Sequence, residues 1–152
     1  VAVRLSDSKG YTLDVSVDEK PTITLKRGQV AVDVLLSSPR SAYFLGPLAV
    51  DRLEVMALVV HLDAMMDGLV DAFDPDSDEG WVHFTRMLLS IRRVFSPDGQ
   101  VGFEVALNDC GCDDEREFNH CGFIAILTDR ASLERELVAL DASARTSRSR
   151  RS

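Results

Sequence analysis

Apolar and polar side chains alternate with a period of two over the first part of the chain. Val1, Val3 and Leu5 alternate with small or polar residues before Ser6-Asp7-Ser8-Lys9-Gly10, which is turn material. Leu13, Val15 and Val17 then alternate with Thr12, Asp14, Ser16 and Asp18. Successive residues of a strand face opposite sides of a sheet, so this pattern predicts half-buried strands. Ile23 and Leu25 repeat it after Pro21, Arg27-Gly28-Gln29 reads as a turn, and Val30, Val32 and Val34 carry a further strand into Leu35 and Leu36. The expectation is an antiparallel meander of four strands, ended by Ser37 to Pro47 with its two prolines and one glycine.

The period then changes. Val55, Leu58, Val59, Leu62, Met65, Met66, Leu69 and Phe73 fall on one stripe of a helix, and Asp51 followed by Glu54 has the spacing of a capping box that opens it. Asp63, Asp67 and Asp71 recur every four residues and predict an acidic line on another, solvent-facing side. Trp81 to Phe95 fits either period. Trp81, Phe84, Leu88, Ile91 and Phe95 suit a helix, whereas Met87, Leu89 and Ile91 against Arg86, Ser90 and Arg92 suit a strand. The turn Ser96-Pro97-Asp98-Gly99 and the alternation of Val101, Phe103, Val105 and Leu107 favour a hairpin. Cys121, Phe123, Ala125 and Leu127 give a last strand, and Thr128-Asp129 caps a helix with Leu133, Leu137 and Leu140 on its buried side. The predicted fold class is α+β, a curved antiparallel β-sheet of about six to seven strands packed on one long central helix, with a short C-terminal helix. Residues 1–141 form one domain and 142–152 a flexible Ser/Arg-rich tail.

Composition narrows the class without naming a reaction. With 152 residues, 45% apolar and 28% charged, the chain is globular and is neither disordered, collagenous nor disulfide-dense. No apolar run approaches the ~20 residues that span a bilayer. The opening Val1-Ala2-Val3-Arg4 carries no leader pattern, and three cysteines within twelve positions argue for a reducing compartment, so the expected location is the cytoplasm. The formal charge is −8, and setting aside the four positive charges of Arg145, Arg148, Arg150 and Arg151 leaves −12 on the first 144 residues. An acidic body disfavours membranes and nucleic acid and steers basic partners toward it. Only the arginine tail suits a phosphate, and a short tail without aromatic residues reads as solvated.

Three constellations are candidates for chemistry. Cys110-Gly111-Cys112 followed after seven residues by His120-Cys121 brings three thiols and an imidazole to two strand ends, a donor set suited to zinc, although Cys-x-Cys departs from the usual Cys-x-x-Cys. The plain alternative is an acidic hairpin loop, with Asp109, Asp113, Asp114, Glu115 and Glu117, and no cofactor. Asp74-Pro75-Asp76-Ser77-Asp78-Glu79-Gly80 resembles the start of a calcium loop, but Glu79 stands where the sharp turn takes glycine and Thr85 where a bidentate glutamate closes the shell. A solvated acidic turn is therefore expected. For catalysis, His61, His83 and His120 accompany no nucleophile elbow, phosphate loop or His-Glu-x-x-His motif, and no enzyme activity is expected.

Val3-Arg4-Leu5-Ser6-Asp7 leading into Leu13-Asp14-Val15-Ser16-Val17, the Asp51-Arg52-Leu53 helix start, the turn at Asp98-Gly99 and the closing Phe123-Ile124-Ala125-Ile126-Leu127-Thr128-Asp129 resemble small actinobacterial domains of unknown function. Those families are similar to immunity proteins of the WapI type, which neutralise a toxin. The resemblance spans about residues 1–141 and implies a curved sheet on one long helix and a binding role without catalysis. The cysteine loop lies outside its pattern. The expected function is a non-enzymatic protein-binding domain that engages a basic partner, a toxin under the resemblance, through Asp63, Asp67 and Asp71 or through Asp113, Asp114, Glu115 and Glu117. The alternative is a zinc protein, structural or redox-sensing, with Cys110, Cys112, His120 and Cys121 as ligands. Sheet edges of a short meander can also pair between subunits as a homodimer.

Overall fold

The computed structural model describes residues 1–7, 9–40, 42–96, 101–107, 122–126 and 129–146. Among them the chain forms two four-stranded antiparallel sheets and two α-helices. The first sheet is a meander of β1 (Ala2–Ser6), β2 (Thr12–Asp18), β3 (Gln29–Ser37) and β4 (Ala42–Asp51), and β4 runs directly into α1 (Arg52–Met66). The second is β5 (Val82–Phe84), β6 (Leu89–Val94), β7 (Gly102–Leu107) and β8 (Gly122–Ile126), with a 3₁₀ turn (Thr85–Met87) between β5 and β6. Helix α2 (Arg130–Thr146) follows.

The alternating positions behave as half-buried strands should. Val3, Leu5, Leu13, Val15, Val17, Val30, Val32, Val34 and Leu36 are all buried, while Arg4 and Asp14 pair at 2.7 Å on the opposite face of β1 and β2. The hairpin expected between residues 81 and 107 is also present, with Ile91 opposite Val105. Side chains from both sheets and both helices form one continuous core. Helix α1 packs along α2, α2 covers β1 and β2, and β1 lies against β8.

The architecture is α+β, but not one curved sheet on a single long helix. Strand β4 pairs only with β3 and β5 only with β6, so the helix between them ends one meander and begins another. The C-terminal helix is not short: α2 has 17 residues against 15 in α1. It continues through residues 142–146, with Ala144 fully buried, past the point where the tail was expected to begin.

Three local signals misdirect the sequence reading. Ser37 to Pro47 does not end the sheet, because β4 is an edge strand, where a proline's missing N–H need not break a ladder. A bulge absorbs Gly46 and Pro47, since Val32 pairs with Leu48 and Val34 with Leu45, leaving Asp33 opposite both. Ile23 and Leu25 form no strand and lie half-buried in the connection between β2 and β3. The third signal is the apolar stripe of α1, which continues to Phe73 although the helix stops at Met66. Gly68 takes a left-handed φ of 69°, its N–H donates to Met65 O and the Leu69 N–H to Ala64 O. That paired closure is a Schellman stop, and it leaves Leu69 exposed.

The helix N-termini differ in a way sequence does not reveal. Asp51 precedes α1 without a side-chain capping bond, and Glu54 reaches forward to accept the Arg86 backbone N–H at 3.1 Å instead of folding back. Asp129 does cap α2, its Oδ1 accepting the Ser132 N–H at 3.1 Å. The Ser132 hydroxyl, which donates to Oδ2, and this N–H together lower the pKa of the Asp129 carboxyl. Asp129→Ala is therefore expected to lower the Tm at neutral pH, with the difference fading as the pH falls through the lowered folded value, whereas Asp51→Ala leaves the Tm nearly unchanged. Thermal melts of the two variants across pH check both.

Desolvation, with Asp18 nearby, pushes the Asp33 carboxyl upward. A carboxyl raised on folding favours the folded state below its unfolded pKa and loses that contribution as the pH rises through the folded value. Asp33→Asn is expected to raise the Tm at pH 7 relative to the parent and to lose that advantage near pH 3. Melts at the two pH values read the sign directly.

Candidate functional site

Between Asp63 and Glu79 the chain has seven carboxylates and no lysine or arginine. Two consecutive arginines of β6 hold this segment by its backbone. Neighbouring residues of a strand leave it on opposite faces, so Arg92 and Arg93 reach different parts of the segment. The Arg93 guanidinium donates to Val70 O at 2.8 Å, and Phe73 forms a bridge with the end of β6, its N–H donating to Arg93 O at 3.1 Å.

Arg92 is only 1% exposed and makes the more extensive set of bonds. Its Nε donates to Glu104 Oε2 at 2.6 Å, Nη2 to Pro75 O at 2.7 Å and Nη1 to Glu79 O at 3.1 Å, with Ser77 O also accepting from Nη1. The Trp81 ring lies 4.7 Å from its Cζ, close enough for a cation–π contact. Charge, fork and plane are thus all used, which is the condition for burying a guanidinium without a large penalty. Asp74 Oδ1 accepts the Asp76 N–H at 2.9 Å, and Ser77 Oγ accepts the Glu79 N–H at 3.2 Å, completing the turn. The inward carbonyls of this calcium-loop-like segment are therefore directed at a guanidinium. Among the described residues, no group of three or more His, Cys, Asp or Glu is placed to hold a metal ion.

The backbone being held, the carboxylates face outward. Asp63, Asp71, Asp74, Asp76, Asp78 and Glu79 are exposed, and of the seven only Asp67 is in an ion pair among the described residues, with Arg130. Arg130 also donates to Met66 O at 3.2 Å, locking the start of α2 onto the end of α1. Asp63, Asp67 and Asp71 do not make one helical line: Asp63 is on the helix, Asp67 is its C-cap, and Asp71 lies beyond the Gly68 stop.

No protein-family model, curated protein or solved structure matches this chain. Asp113, Asp114, Glu115 and Glu117, like Cys110, Cys112, His120 and Cys121, lie outside the described residues. The strands on either side of them are paired, with Ala106 opposite Gly122. Two of the three histidines serve local packing: His61 meets Phe84 edge-on at 5.9 Å, and His83 Nδ1 lies 2.6 Å from Ser90 Oγ, tying β5 to β6. Ser90 is 2% exposed, and its hydroxyl is a buried strand-to-strand link. No helix among the described residues is long and apolar enough to cross a membrane.

Sequence reading missed Arg92. Alternation places it on the polar side of β6 with Ser90, but gives no sign that residues 74–80 cover that side. Replacing it with methionine keeps much of the volume and removes the donors, leaving three loop carbonyls and Glu104 without their partner. Arg92→Met is expected to cost about 3 kcal/mol of stability and to make the 74–80 segment sensitive to limited proteolysis. Denaturant melts and proteolysis read the two effects; an unchanged midpoint would dismiss the clamp.

Proposed function

We propose that this chain is a non-catalytic binding domain that engages a basic protein surface through the carboxylates of residues 63–79. The supporting observation is the division of labour in that segment. Its backbone carbonyls take the guanidinium groups of Arg92 and Arg93, so among the described residues its carboxylates are in no ion pair, Asp67 excepted. A rigid backbone with unneutralised acids raises encounter rates with a basic partner and loses little entropy on binding. The resemblance to WapI-type immunity proteins gives that partner a class, a basic toxin. Asp113, Asp114, Glu115 and Glu117 add to the same acidic character.

The test uses a Lys/Arg-rich peptide as the basic probe. Exposed pairs contribute about 0.2–1 kcal/mol each, so replacing Asp71, Asp76 and Asp78 together by asparagine is expected to weaken binding about tenfold at low salt. The parent's affinity should fall steeply with salt and the variant's less steeply. Equal affinity and equal salt dependence for the two proteins would remove this reading.

A second reading rests on the pairing of β7 with β8. Ala106 opposite Gly122 brings together the two ends of the segment that contains Cys110, Cys112, His120 and Cys121, as a shared ion requires. Under it the reduced protein holds one zinc per chain in a native mass spectrum, lost with a chelator and in Cys110→Ser. A metal-free mass excludes it.

A further inference from the structure

Helix α1 is apolar on its outward side as well as its inward one. Val55, Leu58, Leu62, Met65 and Met66 face the core. On the far side Leu53 and Val60 are 73% and 65% exposed with the half-buried Ala64 in line with them, while Ala57, at the same spacing, packs against the edge of the core. A surface helix normally carries charge there.

Arg52 and Asp63 stand near the two ends of α1 on one flank. Arg52 is the first helical residue, and Gly28, next to Lys26 and Arg27, accepts its N–H at 2.8 Å. Arg86, in the 3₁₀ turn, is held to the first turn by its N–H bond to Glu54 at 3.1 Å. The last turn contains Asp63 and no basic residue, with Asp67 and Asp71 beyond it. Arg52 shares its end of the helix with the carboxylates of Asp51 and Glu54, and at the other end Arg130 donates to Met66 O and pairs with Asp67, so Arg52 and Asp63 are the charges left to answer. Neither Arg52 nor Asp63 has a side-chain partner among the described residues, and Arg52 Nε is buried without one.

We propose that the outward face of α1 is a two-fold docking surface for a second copy of this chain, the two α1 helices packing antiparallel. A two-fold axis perpendicular to both helices sets each flank against the same flank of its mate. Arg52 and Asp63 lie about three turns apart on one flank, so the Arg52 of each copy meets the Asp63 of the other. Leu53 then fits between the mate's Val60 and Ala64. Each of the two unpartnered charges thereby gains a counter-ion from the mate. Pairing uses Asp63 but leaves the acids beyond Gly68 for a basic partner, so it stands apart from the function proposed above.

Light scattering on the full chain at about 50 μM is expected to give twice the 16.8 kDa chain mass. Val60→Glu and Leu53→Glu, both at exposed positions, should give monomers with an unchanged far-UV spectrum. Arg52→Asp and Asp63→Arg should each weaken self-association about tenfold, by replacing attraction with repulsion at both flank pairs. Mixing the two single variants should restore dimer, since each supplies the charge the other lacks. A parent that stays monomeric, or a dimer indifferent to Val60→Glu, overturns the proposal. So does a basic peptide whose binding to the parent is lost in Val60→Glu, because that assigns the stripe to a different occupant.

Discussion

One buried guanidinium fixes the geometry of the acidic side of this protein. Arg92 brings a positive charge into a place where solvent cannot reach it, and it is tolerated because Glu104 neutralises it, three carbonyls accept its N–H groups and Trp81 covers its face. The same contacts order residues 74–80. A segment this rich in aspartate would ordinarily repel itself and stay mobile. Holding it by carbonyls resolves the conflict, since the backbone takes the cation and the side chains keep their charge.

That arrangement also explains how a sheet strand comes to be covered on both sides. Ser90 and Arg92 belong to the polar face of β6, yet both are almost fully buried. One face meets the core through Leu89 and Ile91, and the other lies beneath the crossing segment. The second sheet therefore has a central strand flanked by two different kinds of cohesion, apolar packing on one side and charge-assisted hydrogen bonds on the other.

Strand alternation was the most legible part of the sequence, because period two is local and turns punctuate it. Val3 to Val17 and Val30 to Leu36 could be assigned by inspection for that reason, and the turn after Phe95 pointed to the hairpin of β6 and β7, though not to its register. What escaped was decided by tertiary context. Pro47 reads as a breaker until β4 is known to be an edge strand, and Ile23 with Leu25 reads as a strand until no neighbour is found for it. Glu54 has the spacing of a capping box but a better use for its carboxylate at Arg86. Gly68 is the exception: a glycine inside an apolar helical pattern is a visible stop signal, and it takes Asp71 off the helix. Of the candidate site, the acidic residues were visible from composition, whereas Arg92 was not, because covering a strand face is a long-range event.

The bulge at Gly46-Pro47 has a bearing on solubility. An edge strand with a long regular ladder is a template for unlimited stacking, strand upon strand, toward insoluble fibres. On β4 the ladder register jumps beside Asp33, and Pro47, which has no N–H to donate, lies in that jump. The exposed Phe44 on the same strand thus sits on a poor template. Open-ended polymerisation from this edge is discouraged by the backbone itself, with no need for a covering chain.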